Sequence, residues 1–275
     1  MDIATIAGLI GGLTTIFVVL IMDGGSPAEL FAHPSAILLI IGGSLSATIL
    51  TSPLQTVVQL PKYFIQAFTT KKFDARTTIE LLTNLADRAR REGLLALEED
   101  SKKITDKFLQ KGIMMVVDGV DSHQVSEILE TSVEQMKARH KMGAGFFAAA
   151  GGYAPTFGII GTVMGLISVL KQLDNPSALG ASIAAAFLAT LWGLLISNLI
   201  YLPLSGKLKA KSEEESRNRY MMLDGVLAIQ AGENPRVVKD KLSAFLAPAD
   251  VKALDGEPGK EGKKAAAGKA EKAPA

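Results

Sequence analysis

The chain has 275 residues, is 48% hydrophobic with a mean hydropathy of +0.27, and balances 29 basic against 28 acidic residues. A net charge of +1 offers no electrostatic footprint for nucleic acid. The absence of cysteine excludes disulfides and thiolate metal sites, and His33, His123 and His140 are too scattered to suggest a metal cluster.

Ile3 to Met22 is an uncharged run of 20 residues. It does not read as a cleaved signal peptide, because only Met1-Asp2 precedes it and a second apolar run follows at once. Asp23-Gly24-Gly25-Ser26-Pro27 ends the first run, and Pro34 to Leu54 is the second. Two longer runs follow, Gly143 to Leu170 and Ser177 to Leu204, each of 28 residues without Asp, Glu, Lys, Arg or His. About 20 apolar residues cover a hydrocarbon core of roughly 30 Å, so all four runs are expected to span a membrane. The last two are separated only by Leu170 to Pro176 and form a hairpin.

The hairpin is rich in glycine and alanine, which let helices approach closely in lipid. It also carries Thr156, Thr162, Ser168, Ser182, Thr190, Ser197 and Asn198. Such hydroxyls and amides act either as packing glue between helices or as a polar lining for something small that crosses the membrane. At a rise of 1.5 Å per residue, Thr162 lies about 12 Å below Leu170 and Thr190 about 16 Å below Leu179, so both reach similar depth. Pro155 and Pro203 lie near the inner ends of the hairpin helices. Each is a plain kink or helix end, or one of a pair of hinges.

Lysine and arginine cluster after the second run, before the third and after the fourth, which places the large loop and both termini in the cytoplasm. The loop, Gln55 to Met142, reads as helical, with Ile79, Leu82, Leu85, Ala86 and Ala89 at helical spacing and an interruption at Gly93. Asp118-Gly119 predicts a turn and Asp121-Ser122 a helix start that runs on into the third span. Two further helices, broken at Gly232–Pro235, follow the fourth span, and the Lys/Ala-rich tail from Pro248 is expected to be disordered. The expected architecture is therefore an all-α integral membrane protein with four transmembrane helices and a helical cytoplasmic domain. Its segments are 1–54 (spans one and two), 55–142 (cytoplasmic loop), 143–204 (hairpin), 205–247 (cytoplasmic helices) and 248–275 (tail).

No phosphate loop, metal-ligand spacing or nucleophile triad is visible, so neither enzymatic activity nor a resident cofactor is expected. The four spans hold no ionisable acid or base. Moving protons normally needs an intramembrane carboxylate, so any acid must come from a partner chain.

The segment APTFGIIGTVMG (Ala154 to Gly165) resembles the third span of the flagellar stator A-subunits, the MotA/PomA family. So do MDIATIAGLIGG at the start, ARREGLLALEE (Ala89 to Glu99), LQKGIMMVVDG (Leu109 to Gly119) and MLDGVLAIQAGENPRV (Met222 to Val237). The resemblance runs from Met1 to about Leu246. It implies a pentameric ring around a dimer of a B-subunit (MotB or PomB) that supplies the intramembrane aspartate. It implies an inner-membrane channel for H+ or Na+ whose ion flow turns the ring against the rotor switch protein FliG. On this reading Arg90 and Glu98, with Arg91 and Glu99 beside them, match rotor-contacting charges. Pro155 and Pro203 match the prolines of conformational coupling, and Thr162 and Thr190 match positions lining the ion path. Sodium-type relatives carry threonine at both places, which leans the expectation toward sodium. One departure is Ser101, where some sodium-type members have an acid. Without the resemblance, Arg90 and Glu98 read as solvated surface charges. The more distant ExbB and TolQ proteins share the ion-driven hairpin but not four spans with this loop, and an ordinary transporter would need its own charged or broken-helix site at mid-membrane.

Overall fold

The computed structural model describes residues 3–69, 73–171, 176–248 and 250–251. The hairpin connection at 172–175 and the expected tail, 248–275, apart from residues 248 and 250–251, lie outside the described residues. Every element among the described residues is helical: α1 Ile3–Met22, α2 Pro27–Leu30, α3 Pro34–Leu50, α4 Leu54–Val58, α5 Leu60–Phe68, α6 Ala75–Glu92, a 3₁₀ turn Leu94–Leu97, α7 Glu98–Ser101, α8 Lys107–Val117, α9 Ser122–Lys171, α10 Pro176–Leu195, a π-helical segment Ile196–Tyr201, α11 Leu202–Gln230 and α12 Pro235–Ser243. They form two compact units, one of Met1–Lys71 with Ala138–Ser212 and one of Lys72–Lys137 with Glu213–Ala275.

The first unit contains the apolar helices. Helix α1 is 20 residues long, which at 1.5 Å per residue spans about 30 Å. Gly24, at φ +81, takes the left-handed conformation that ends it, and Gly25 N–H donates back to the Leu20 carbonyl at 2.9 Å. Helix α3, at 17 residues, is the shortest of the four and reaches about 26 Å. The membrane stretches of α9 and α10 keep Ile159, Val163, Met164, Ile167 and Phe187 exposed. Water would reject so much open apolar surface, whereas a bilayer or a neighbouring membrane helix accepts it.

Helices α4 and α5 belong to this unit. Sequence reading counts them at the start of the loop 55–142; within this unit Tyr63 and Ala67 share a buried core with Ala144, Phe147, Ala150 and Leu208. The Lys211 ammonium holds the end of α5, donating to the carbonyls of Gln66, Ala67 and Thr69 at 2.8, 2.8 and 3.0 Å. Helix α5 is amphipathic, with Phe64 and Ile65 exposed opposite its buried stripe.

The second unit is a packed helical core. Asp74 starts α6 by accepting the Thr77 N–H and hydroxyl, and these bonds hold its carboxyl below the usual aspartate range. The stripe read from the sequence, Ile79, Leu82, Leu85, Ala86 and Ala89, is buried as expected. It packs into one core with Leu97, Leu109, Ile113, Leu129, Val226 and Leu242. Each such aliphatic side chain contributes about 1.5–3 kcal/mol of burial free energy. Gly93 ends α6 at φ +85, Gly119 ends α8 at φ +73 and Gly232 ends α11 at φ +68, so three of the interruptions read from glycine stand.

Candidate functional site

The seam between α9 and α10 is built from the smallest side chains. A Cβ added to Gly158 would meet the Ala189 carbonyl oxygen at 3.1 Å and the Cα atoms of Thr190 and Gly193 at 3.2 and 3.3 Å. One added to Gly193 would meet the Ala154 carbonyl oxygen at 2.9 Å and Gly158 Cα at 3.1 Å. Further along, Gly161 faces Ala189 and Gly165 faces Ala186, each at 2.7 Å from Cβ to the hypothetical Cβ. The two backbones therefore touch along this line, the close approach that small residues permit.

Thr162 and Thr190 meet on this seam. Their hydroxyls are hydrogen-bonded to one another, and both residues are half-buried. Thr162 Oγ1 also lies 3.1 Å from the Gly158 carbonyl and 3.2 Å from that of Ala186. The two hydroxyls bring two protons to four oxygen atoms, so the cluster keeps lone pairs to spare. Two hydroxyl and two carbonyl oxygens gathered in one place are the donor type that hard cations take. Close approach explains the gathering: the bond to the Gly158 carbonyl is local to α9, whereas the contacts with Thr190 and the Ala186 carbonyl need α10 to lie against it.

Pro155 sits inside α9 and is half-buried. Proline has no N–H, so the Gly151 carbonyl four residues earlier loses its helical donor. The Ser197 hydroxyl of the π-helical segment donates to that carbonyl at 2.7 Å. Pro203 is the second residue of α11, directly after the same segment. The wide turn there is closed by the Leu202 N–H donating to the Ser197 carbonyl, five residues back. Sequence reading placed the prolines and named Ser197 among the hairpin's polar residues, but nothing in the periodicity announces a π turn. On α10, Trp192 Nε1 donates to the Leu30 carbonyl at 2.8 Å and its ring meets Phe31. That contact ties α2, a helix that sequence reading left as a connection, to α10.

The charged loop lies in the second unit. Arg90 and Arg91 close α6, and Glu98 and Glu99 open α7, all four exposed on either side of the Gly93 turn. Arg91 pairs with Asp87 at 3.0 Å and Glu98 with Lys102 at 2.9 Å. The turn itself is held by Arg88, which bonds Glu92 at 3.0 Å on its own helix and Asp100 across the turn. Hydrogen bonds from Lys103 first, then from Arg88, keep the Asp100 carboxyl below the ordinary carboxylate range. Ser101 is fully buried and its hydroxyl donates to the Glu98 carbonyl at 2.7 Å, so this position caps the loop from within. Arg90, Arg91 and Asp87 also line a cleft of about 670 Å³ with Asn234, which caps α12, and Pro235 and Arg236 of that helix. Sequence reading missed Arg236, which lies about 145 residues from its neighbours and is brought to them only by α12 packing on α6.

Known proteins align with the chain over most of its length. Residues 6–93 match the Motility protein A N-terminal family, and residues 100–221 match the MotA/TolQ/ExbB proton channel family. The chain is 38% identical to the chemotaxis protein PomA of Vibrio alginolyticus, over 90% of this chain and 96% of that one. It is also 38% identical to Motility protein A of Bacillus subtilis, over 91% and 93% of the two chains. Among solved structures it is similar to the C. jejuni MotAB complex, at TM-score 0.86 and 33% identity over 90% of this chain and 97% of that one. The flagellar MotAB stator complex of Bacillus subtilis gives TM-score 0.83 at 37% identity, over 89% and 96%. With the motility match at the N-terminus and relatives aligned over nine-tenths of its length, the chain belongs to the MotA/PomA family of flagellar motor stator proteins.

Proposed function

We infer that this chain is the A-subunit of a bacterial flagellar stator, an ion-channel subunit and not an enzyme, seated in the inner membrane with both termini in the cytoplasm. It forms a pentameric ring around a B-subunit dimer, and ion flow through that complex drives the rotor through FliG. The observation that carries the reading is the meeting of Thr162 and Thr190 on the seam of two apolar helices, in a chain of this family. Four spans without an acid or base supply hydroxyl and carbonyl ligands but no proton carrier, so the B-subunit aspartate completes the path. An ExbB/TolQ-like subunit is the other reading, and the match of residues 6–93 to the motility N-terminal family favours the stator.

The coupling cation on this reading is sodium. Swimming speed is measured against external sodium at fixed pH, in wild type and Thr162→Ala. Losing one oxygen ligand raises the sodium needed for half-maximal speed roughly tenfold, the factor that corresponds to about 1.4 kcal/mol. A speed independent of sodium but abolished by a protonophore assigns the motor to protons instead.

Arg90 and Glu98 are the rotor-facing charges, with Arg91 and Glu99 as auxiliaries. Exposed pairs of this kind steer fast, reversible contacts more than they add affinity. The double variant Arg90→Ala/Glu98→Ala is expected to lower torque at high load with membrane levels unchanged. Full torque at every load in a bead assay removes both residues from the rotor contact.

A further inference from the structure

Inside the first unit, one buried serine serves both proline bends. Ser197 is 2% exposed and lies in the π-helical segment between α10 and α11. Its hydroxyl donates at 2.7 Å to the Gly151 carbonyl, the very carbonyl that Pro155 leaves without an amide. Its own carbonyl accepts the Leu202 N–H and so closes the wide turn in front of Pro203. Gly151 and Ser197 are both buried, so a carbonyl left unsatisfied there would carry a desolvation penalty.

The surroundings fit this service and little else. Gly151 is buried, and a Cβ on it would meet Leu202 side-chain atoms at 2.7 and 2.9 Å and Tyr201 Cβ at 3.4 Å. Leu202 would have to shift for any larger residue at 151, so glycine fits the close packing of α9 on this segment. The extra residue of a π turn rotates everything after it by about 100° relative to an α-helix, so the segment decides which side chain faces α9. A second buried serine on the same face provides a comparison. Ser205 donates to the Ala144 carbonyl at 2.8 Å, but there α9 continues through Ala148, which has an amide to offer. Ser205 adds a second bond where Ser197 supplies the missing one.

We propose that Ser197 is a positioning residue for the stator's conformational change: its hydroxyl stands in for the amide that Pro155 lacks, its carbonyl closes the turn before Pro203, and one residue thereby joins the two bends. This rests on the coupling role inferred for the prolines. Removing the hydroxyl leaves the Gly151 carbonyl bare and frees α9 to bend independently of the α10–α11 joint. Adding an amide at position 155 makes the hydroxyl redundant. The link between Ser197 and Pro155 is therefore conditional, and a pair of substitutions reads it.

The test uses the full complex with its B-subunit, in membranes and in swimming cells. The chain contains four Gly-Gly pairs, Gly11–Gly12, Gly24–Gly25, Gly42–Gly43 and Gly151–Gly152. Labelling glycine with carbonyl ¹³C and ¹⁵N thus isolates the Gly151 carbonyl among few directly bonded pairs in a solid-state NMR spectrum, and Gly152→Ala identifies it by loss. In Ser197→Ala the Gly151 resonance is expected to move upfield, as a carbonyl does when it loses its hydrogen bond, and high-load rotation to fall roughly twofold to tenfold. In the Pro155→Ala background the same substitution is expected to leave the resonance where Pro155→Ala puts it. Ser197→Thr, which keeps the hydroxyl, retains the wild-type resonance, and Ser205→Ala keeps near-normal rotation. If Ser197→Ala fails to reach the membrane, Pro155→Ala/Ser197→Ala is expected to restore its level, because the amide returns.

An unmoved resonance in Ser197→Ala, an unchanged rotation speed alongside a moved one, an equal loss of speed in Ser205→Ala, or a double variant that stays out of the membrane each overturns the proposal. Normal rotation in Pro155→Ala is a different failure. It overturns the coupling role of the proline and the positioning role built on it, while the Ser197–Gly151 bond stands.

Discussion

Gly193→Ala is expected to abolish motility and to reduce the assembled complex in the membrane. The added methyl lies 2.9 Å from the Ala154 carbonyl oxygen and 3.1 Å from Gly158 Cα, and both are backbone atoms that no rotamer change can move aside. Helices α9 and α10 must separate by a few tenths of an ångström at least, at a cost of about 1–3 kcal/mol. Separation there also pulls Thr190, one turn away, from Thr162 and opens the oxygen cluster. Gly145→Ala is the contrast, since nothing beyond its own stretch of helix lies within 4 Å of its added methyl. Measurement of membrane levels and swimming for both variants checks the point. Normal motility with Gly193→Ala means that the seam is loose enough to absorb a methyl and that close packing does not set the site.

Pro155→Ala is expected to leave a stable but motionless stator. An interior proline destabilises a helix by about 3 kcal/mol relative to alanine, so the substitution favours the folded helix rather than harming it. It returns an amide to the Gly151 carbonyl, which the Ser197 hydroxyl otherwise serves. A proline that only bent the helix passively would be replaced without harm. One that keeps α9 deformable is replaced at the expense of rotation, with a loss of more than about tenfold and no drop in membrane level. Thermal unfolding of the purified complex separates the two effects, since a raised midpoint with lost rotation is a signature that misfolding cannot produce. Wild-type swimming by this variant returns Pro155 to a purely structural role.

Both variants act where close packing decides the outcome, and that is also where sequence reading stopped. The apolar runs of α1, α3, α9 and α10 were legible because a span is a local property: some 17–25 residues without charge have no other economical environment. The buried stripe of α6 was legible because its spacing is fixed by 3.6 residues per turn. The breaks at Gly93, Gly119 and Gly232 were legible because left-handed backbone selects glycine. The shared depth of Thr162 and Thr190 also followed from helix rise alone.

Tertiary structure decided the rest. That the two threonines touch depends on which faces of α9 and α10 meet, and the glycine seam sets this, not either helix by itself. The assignment of α4 and α5 to the first unit depends on Tyr63, Ala67 and Lys211, whose partners are distant in sequence. Arg236 joins Arg90 and Arg91 only because α12 packs on α6. The π turn at Ile196–Tyr201 leaves no mark in composition, because an extra residue in a helical turn is chosen by what it lets a side chain reach, and here that is the carbonyl beneath Pro155. The sequence by itself determined the apolar spans, the glycine breaks and the family, all set by local chemistry. Only the folded chain determined which oxygens, charges and bends stand together, because those pairings are fixed by helix contact across long stretches of chain.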